Sequence, residues 1–129
     1  MAKILVVDDD ESIVDSITLI LEDAGYRVDS TLSGDEAYNK IKSFIPNLIL
    51  LDILLSGVDG RDICKKLKKD TTTKNIPIIM ISAHSSAVKS AQEYGANDFL
   101  AKPFGIDELL EMIKKHLKKP NSNRSLSAS

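Results

Sequence analysis

Cysteine occurs once in this chain of 129 residues, tryptophan not at all, and histidine twice. A lone thiol, Cys64, excludes an internal disulfide framework and fits a reducing compartment. Its place between Ile63 and Leu67 at helical spacing reads as a small buried hydrophobe, not a reactive group. Neither histidine has a second histidine or cysteine at ligand spacing, so no zinc motif is present, and His84 and His116 read as exposed residues beside helices. Charge of one sign is also lacking. A net charge of −2 offers no long-range attraction to nucleic acid or to an acidic membrane surface. There is no apolar run of bilayer-spanning length. Met1-Ala2-Lys3 lead straight into a strand-like stretch, which leaves no room for a signal peptide. These absences predict a soluble, cytoplasmic protein with no direct nucleic-acid or membrane partner.

What is present is an ordinary globular composition, 43% hydrophobic and 28% charged, on a chain long enough for one core. Short apolar runs alternate with longer amphipathic stretches five times. Ile4-Leu5-Val6-Val7, Leu48-Ile49-Leu50-Leu51 and Ile76 to Ile81 are apolar on both faces, as buried parallel strands are. Tyr26 to Thr31 is more polar and reads as an edge strand, and Asp98 to Ala101 as a short fifth strand. Between them lie helical stripes. The first comprises Ile13, Ile17, Ile20, Leu21 and Ala24; the second has Ala37, Ile41 and Phe44 behind a Ser33 cap, with Glu36 at capping-box spacing. A third helix starting at Asp59 carries Ile63, Cys64 and Leu67 inward and its lysines mostly outward. A fourth is lined by Ala87, Val88, Ala91 and Tyr94, and a fifth by Ile106, Leu109, Leu110, Ile113 and Leu117. Pro120 ends the last helix, so the chain divides into one domain, 1–119, and a polar tail, 120–129, too short for a further domain. Five β-α units predict an α/β fold: a five-stranded parallel sheet, doubly wound, with right-handed crossovers and helices on both faces. In that class ligands bind beyond the carboxyl ends of the strands, where the winding reverses.

Polar residues stand where that rule places chemistry. Asp8 and Asp9 follow the first strand, Asp52 the third, Ser82 the fourth and Lys102 the fifth. Each has a plainer reading when taken singly. Asp8, Asp9 and Asp10 precede a helix and suit capping, Ser82 a turn, and Lys102 a solvated charge. Asp10 and Glu11 read as caps only. Asp52 resists such a reading, because no helix starts directly after it. Two carboxylates about 4 Å apart repel by about 4 kcal/mol at an effective dielectric near 20, so three together call for a cation. Hard oxygen ligands with room for water suit Mg²⁺.

The set Asp8-Asp9, Leu50-Leu51-Asp52, Ser82-Ala83 and Lys102-Pro103 resembles the receiver domain of two-component response regulators over roughly residues 2 to 118. The resemblance implies the flavodoxin-like strand order 2-1-3-4-5 and a phosphoryl group accepted on Asp52 from the phosphohistidine of a sensor histidine kinase or phosphotransfer protein. It implies Mg²⁺, with Mn²⁺ as a substitute, held by Asp9, Asp52 and the backbone carbonyl of Leu54, with Asp8 acting through bound water. Lys102 would pair with one phosphoryl oxygen and Ser82 bond another. Phe99 occupies the position of a switching aromatic, and the face of the fourth helix, fifth strand and fifth helix would be read by a downstream protein or pair as a homodimer. The Lys102-Pro103 bond resembles a cis turn of the family. One departure is Ser56, where the family pattern usually has proline; a less rigid loop is expected there.

Two rival readings compete. The Asp8-x-Asp10 spacing resembles haloacid-dehalogenase-type phosphatases, with Asp8 as nucleophile and Asp10 as acid/base, but this leaves Asp52 idle and puts Asp98 at the wrong end of its strand. The other rival is a non-phosphorylated interaction module, against which stands the full set of reacting residues. The favoured reading is a signalling domain, not an enzyme, that takes part in its own phosphorylation and slow dephosphorylation.

Overall fold

The structure, a computed structural model, describes residues 1–84 and 86–117. The helix end expected at Pro120 and the tail 120–129 lie outside the described residues. The elements run β1 (Lys3–Val7), α1 (Glu11–Asp23), β2 (Arg27–Thr31), α2 (Gly34–Phe44), β3 (Leu48–Asp52), β4 (Leu54–Leu55), β5 (Val58–Asp59), α3 (Gly60–Lys69), β6 (Ile78–Ser82), α4 (Ala87–Glu93), β7 (Asp98–Ala101) and α5 (Ile106–Leu117). Five strands form one parallel sheet in the order β2-β1-β3-β6-β7, which is the doubly wound order that the family resemblance implied. The first and third strands are neighbours, so the winding reverses between them.

Strand alternation divides the core into two layers. Leu5, Val7, Ile49, Leu51, Ile78 and Met80 point to one side and pack with Ala37 and Ile41 of α2, Ile63, Cys64 and Leu67 of α3, and Ala91 of α4. Ile4, Val6, Leu48, Leu50, Ile79, Ile81 and Leu100 point to the other side, against Val14, Ile17 and Leu21 of α1 and Leu109 and Ile113 of α5. Cys64 is fully buried in the first layer, and burial pushes its thiol up to about 11, as suits an inert hydrophobe.

The first three helices begin at side-chain caps. Asp10 accepts from the amides of Ser12 and Ile13, Ser33 from that of Asp35, and Asp59 from that of Arg61. The structure departs from the sequence reading in phase and in detail. In α1 the buried stripe is Val14, Ile17 and Leu21, with Ile13 and Ile20 flanking it and Ala24 exposed at the cap. In α5 it is Leu109, Ile113 and His116, whereas Ile106 is exposed. β6 begins at Ile78, after Pro77, and includes Ser82. In place of a plain loop after Asp52, β4 and β5 form a two-stranded antiparallel hairpin turned by Gly57 at φ 74°.

His116 is the largest correction. It is not an exposed residue: it is 3% exposed, and its Nε2 lies 2.7 Å from Asp98 Oδ2. That bond ties the end of α5 to the start of β7 at the amino edge of the sheet. Asp98 is held below the usual carboxylate range by the hydrogen bonds from His116 and the Phe99 amide and by the nearby Lys115, against the upward effect of its own partial burial. His84 is exposed, as expected.

Candidate functional site

At the carboxyl edge, β1 and β3 deliver Asp8 and Asp52 side by side. Val7 pairs with Leu51, so the next residue of each strand emerges at the same height. Asp8 continues the alternation of Ile4 and Val6, Asp52 that of Leu48 and Leu50, and Lys102 that of Leu100, so all three leave the sheet on the α1/α5 side. Carboxylate oxygens of Asp8, Asp9 and Asp52 lie within 4.8 Å of one another. Lys102 reaches across from the end of β7, its Nζ 3.0 Å from Asp8 Oδ2 and 3.6 Å from Asp52 Oδ1. The Lys102-Pro103 peptide is cis, as the sequence suggested.

The cluster is short of positive charge. One ammonium faces three carboxylates, two of them buried. Burial, then the charge of Asp8, pushes Asp52 up to about 6, and Lys102 only partly offsets this. A donor set of carboxylates, a hydroxyl nearby and an open side fits a hard divalent cation that retains water.

Asp8 Oδ1 also accepts from the Asp10 amide at 2.9 Å. Ser82 is buried at the end of β6, and its Oγ accepts from the His84 amide at 3.0 Å. Phe99 is half-buried on β7 and packs into the α2–α4 layer. Leu54 is 58% exposed, with its backbone in the hairpin next to Asp52. Asp10, by contrast, accepts from Ser12 Oγ at 2.7 Å as well as from the helix amides, so its carboxylate is engaged as a cap. Asp98 stands at the opposite edge of the sheet, bonded to His116. Neither is arranged as the acid pair that a phosphatase centred on Asp8 requires.

Two features of the site escape the sequence reading. Ser56, at the hairpin turn, donates from Oγ to Asp9 Oδ2 at 2.7 Å, a bond spanning 47 positions. Gly60 opens α3 directly against the backbone of Asp52: its amide donates to the Ile53 carbonyl at 2.7 Å. A Cβ there would run into the Asp52 carbonyl oxygen and stand 3.1 Å from Ile53 Cα. The Asp59-Gly60 pair is the available signal. Because the obstacle is backbone, Gly60→Ala is expected to destabilise the protein by about 1–3 kcal/mol. Urea unfolding checks this, and a loss below the lower figure would mean that α3 slides freely on the hairpin.

The model of the response regulator receiver domain matches residues 4–114. Among curated proteins, the DNA-binding dual master transcriptional regulator RpaA of Synechocystis is 36% identical over 121 residues, covering 92% of this chain and 50% of its own length. The response regulator ArlR of Staphylococcus saprophyticus is 38% identical over 126 residues, covering 95% of this chain and 56% of its own. The chain thus spans about half the length of these relatives. Among solved structures, a putative response regulator from Chloroflexus aurantiacus superposes with a TM-score of 0.86 at 39% identity, covering 90% of this chain and 97% of that one. Vibrio cholerae chemotaxis protein CheY4 gives 0.83 at 30% identity, covering 89% and 98%. This chain belongs to the receiver domains of two-component response regulators, signalling domains whose general function is to accept a phosphoryl group on an aspartate.

Proposed function

We propose that Asp52 is the phosphoacceptor, that Asp8, Asp9 and the Leu54 backbone carbonyl complete a Mg²⁺ site with it, and that the donor is a phosphohistidine on a sensor histidine kinase or phosphotransfer protein. The observation that carries this reading is the meeting of Asp52 with Lys102 at 3.6 Å inside the Asp8-Asp9-Asp52 cluster. A bound divalent cation would supply the positive charge that the cluster lacks and neutralise equatorial phosphoryl oxygens. One Asp52 carboxylate oxygen bonds to phosphorus while the phosphorus–nitrogen bond to imidazole breaks; its electron pair remains on the nitrogen, which then takes up a proton. Lys102 turns its ammonium from Asp52 to a phosphoryl oxygen, and Ser82 donates its hydroxyl to another. A groove of about 460 Å³ beside Lys102, lined by Ile13, Ile17 and Ile20 of α1 and by Phe104, gives an apolar seat for a partner helix next to the acidic cluster.

Strand geometry supports a readout through Phe99. Ser82 and Phe99 lie on adjacent strands, where Met80 pairs with Phe99 and Ser82 with Ala101. Both continue the alternation that faces the α2–α4 layer. A Ser82 drawn toward the phosphoryl group leaves space that Phe99 fills by turning inward. The change is then read on the α4-β7-α5 face by a downstream protein or by a second copy of the chain. The domain acts on no separate substrate in this reading; it turns over only its own acyl phosphate, slowly, in the cytoplasm. The described residues contain no helix long and apolar enough to cross a membrane.

The test is incubation with acetyl phosphate and Mg²⁺, followed by peptide mapping of the labile phosphoryl group. A single label on Asp52, absent after chelation, is expected. A label on Asp8 would restore the phosphatase-like alternative, and none at all would favour the interaction-only module.

A further inference from the structure

We propose that Ser56 is a positioning residue that sets the affinity of the acidic cluster for its divalent cation; the inference rests on the cation site proposed above. Asp9 is the exposed member of the cluster, at the loop that follows β1, with no helix of its own to orient it. The described residues offer one side-chain partner for its carboxylate: the Ser56 hydroxyl, 2.7 Å from Oδ2. That bond engages one oxygen, and among the described residues Oδ1 has no side-chain partner. A cation-binding carboxylate held in turn by a hydrogen bond is the usual outer-shell arrangement, and it fixes the carboxylate's rotamer before the cation arrives.

The same bond has a second effect. Ser56 sits at the turn of the β4–β5 hairpin, and β4 carries Leu54, whose carbonyl is the one backbone ligand of the proposed site. At its base the hairpin is held by the Gly60 amide on the Ile53 carbonyl at 2.7 Å. At its tip the hold is the Ser56–Asp9 bond. A proline at position 56 would stiffen the turn without a donor. In this chain the hydroxyl couples the hairpin directly to Asp9.

The experiment is calorimetric titration with MgCl₂ alone, with no phosphodonor, on wild type, Ser56→Ala and Ser56→Thr, alongside thermal melting in chelator. Ser56→Ala is expected to raise the Mg²⁺ dissociation constant about tenfold. Ser56→Thr, which keeps the hydroxyl, is expected to restore it. The cation-free melting midpoints are expected to coincide, since both partners are exposed. Unchanged or tighter binding in Ser56→Ala would overturn the inference and show the hydroxyl to be idle or in competition with the cation, while the site itself stands. Equal weakening in Ser56→Thr would overturn it by making shape, not the donor, responsible. A wild type that binds no Mg²⁺ would overturn the cation site and this inference together.

Discussion

Lys102→Ala is expected to slow labelling by acetyl phosphate at saturating Mg²⁺ by about 10²- to 10³-fold, the loss typical of removing one preorganised charge from a reacting centre. Among the described residues, Lys102 is the only cationic side chain paired with the acidic cluster. Its ammonium is largely buried and already bridges Asp8 and Asp52, so little reorganisation is needed when charge builds on the transferring group. Lys102→Arg retains the charge but presents a planar fork in place of a compact ammonium, and partial recovery is expected. Rates of phosphoryl incorporation, measured with Mg²⁺ affinity in parallel, separate lost chemistry from lost cation. A Lys102→Ala rate within a few-fold of wild type would remove Lys102 from the reaction.

Asp52→Asn is expected to make the cation-free protein more stable at neutral pH. The folded state holds the Asp52 proton up to about 6, against an ordinary value of 3.8. A carboxyl raised on folding is protonated in both states well below its ordinary value and contributes nothing there. As pH climbs toward the folded value, the unfolded chain ionises first and gains an advantage, which becomes constant once the folded group has ionised as well. Charge at Asp52 therefore opposes folding at neutral pH by about 2–3 kcal/mol. Removing that charge with a near-isosteric amide gives back most of this stability, and the gain fades on acidification towards pH 4. Urea unfolding of both proteins in chelator across this range makes the comparison, and Mg²⁺ should close the gap by stabilising the wild type more. A gap that widens on acidification would reverse the assigned direction.

The covered parallel sheet was legible because four apolar residues in a row, as in Leu48 to Leu51, suit a strand buried on both faces; its strand order came only with the resemblance carried by the strand-end residues. The polar residues at the strand ends were legible by position, and the structure brings Asp8, Asp9, Asp52 and Lys102 into one cluster. The hairpin was not legible, because strands of two residues have no period to detect; Ser56-Gly57 signalled only a turn. His116 reads as exposed only when polarity is weighed above phase. It falls three residues after Ile113 on the inward stripe of α5, and its partner Asp98 lies 18 residues earlier on another element. The Ser56–Asp9 bond was beyond reach for the same reason: nothing local in the chain couples positions 47 apart.

The two-sided alternation of β3 has a consequence for how the strand finds its partners. Leu48 and Leu50 face α1 and α5, whereas Ile49 and Leu51 face α2 to α4. All four are apolar, so pairing shifted by one residue would still bury hydrocarbon on both faces and would scarcely be penalised by them. Asp52 breaks the degeneracy. A shift would carry its carboxylate over into the α2–α4 layer, away from Lys102 and from any cation, at a cost of several kcal/mol. The residue that accepts the phosphoryl group in the proposed reaction thus also marks the correct alignment of the central strand, and misaligned chains are rejected by the charge that the chemistry requires.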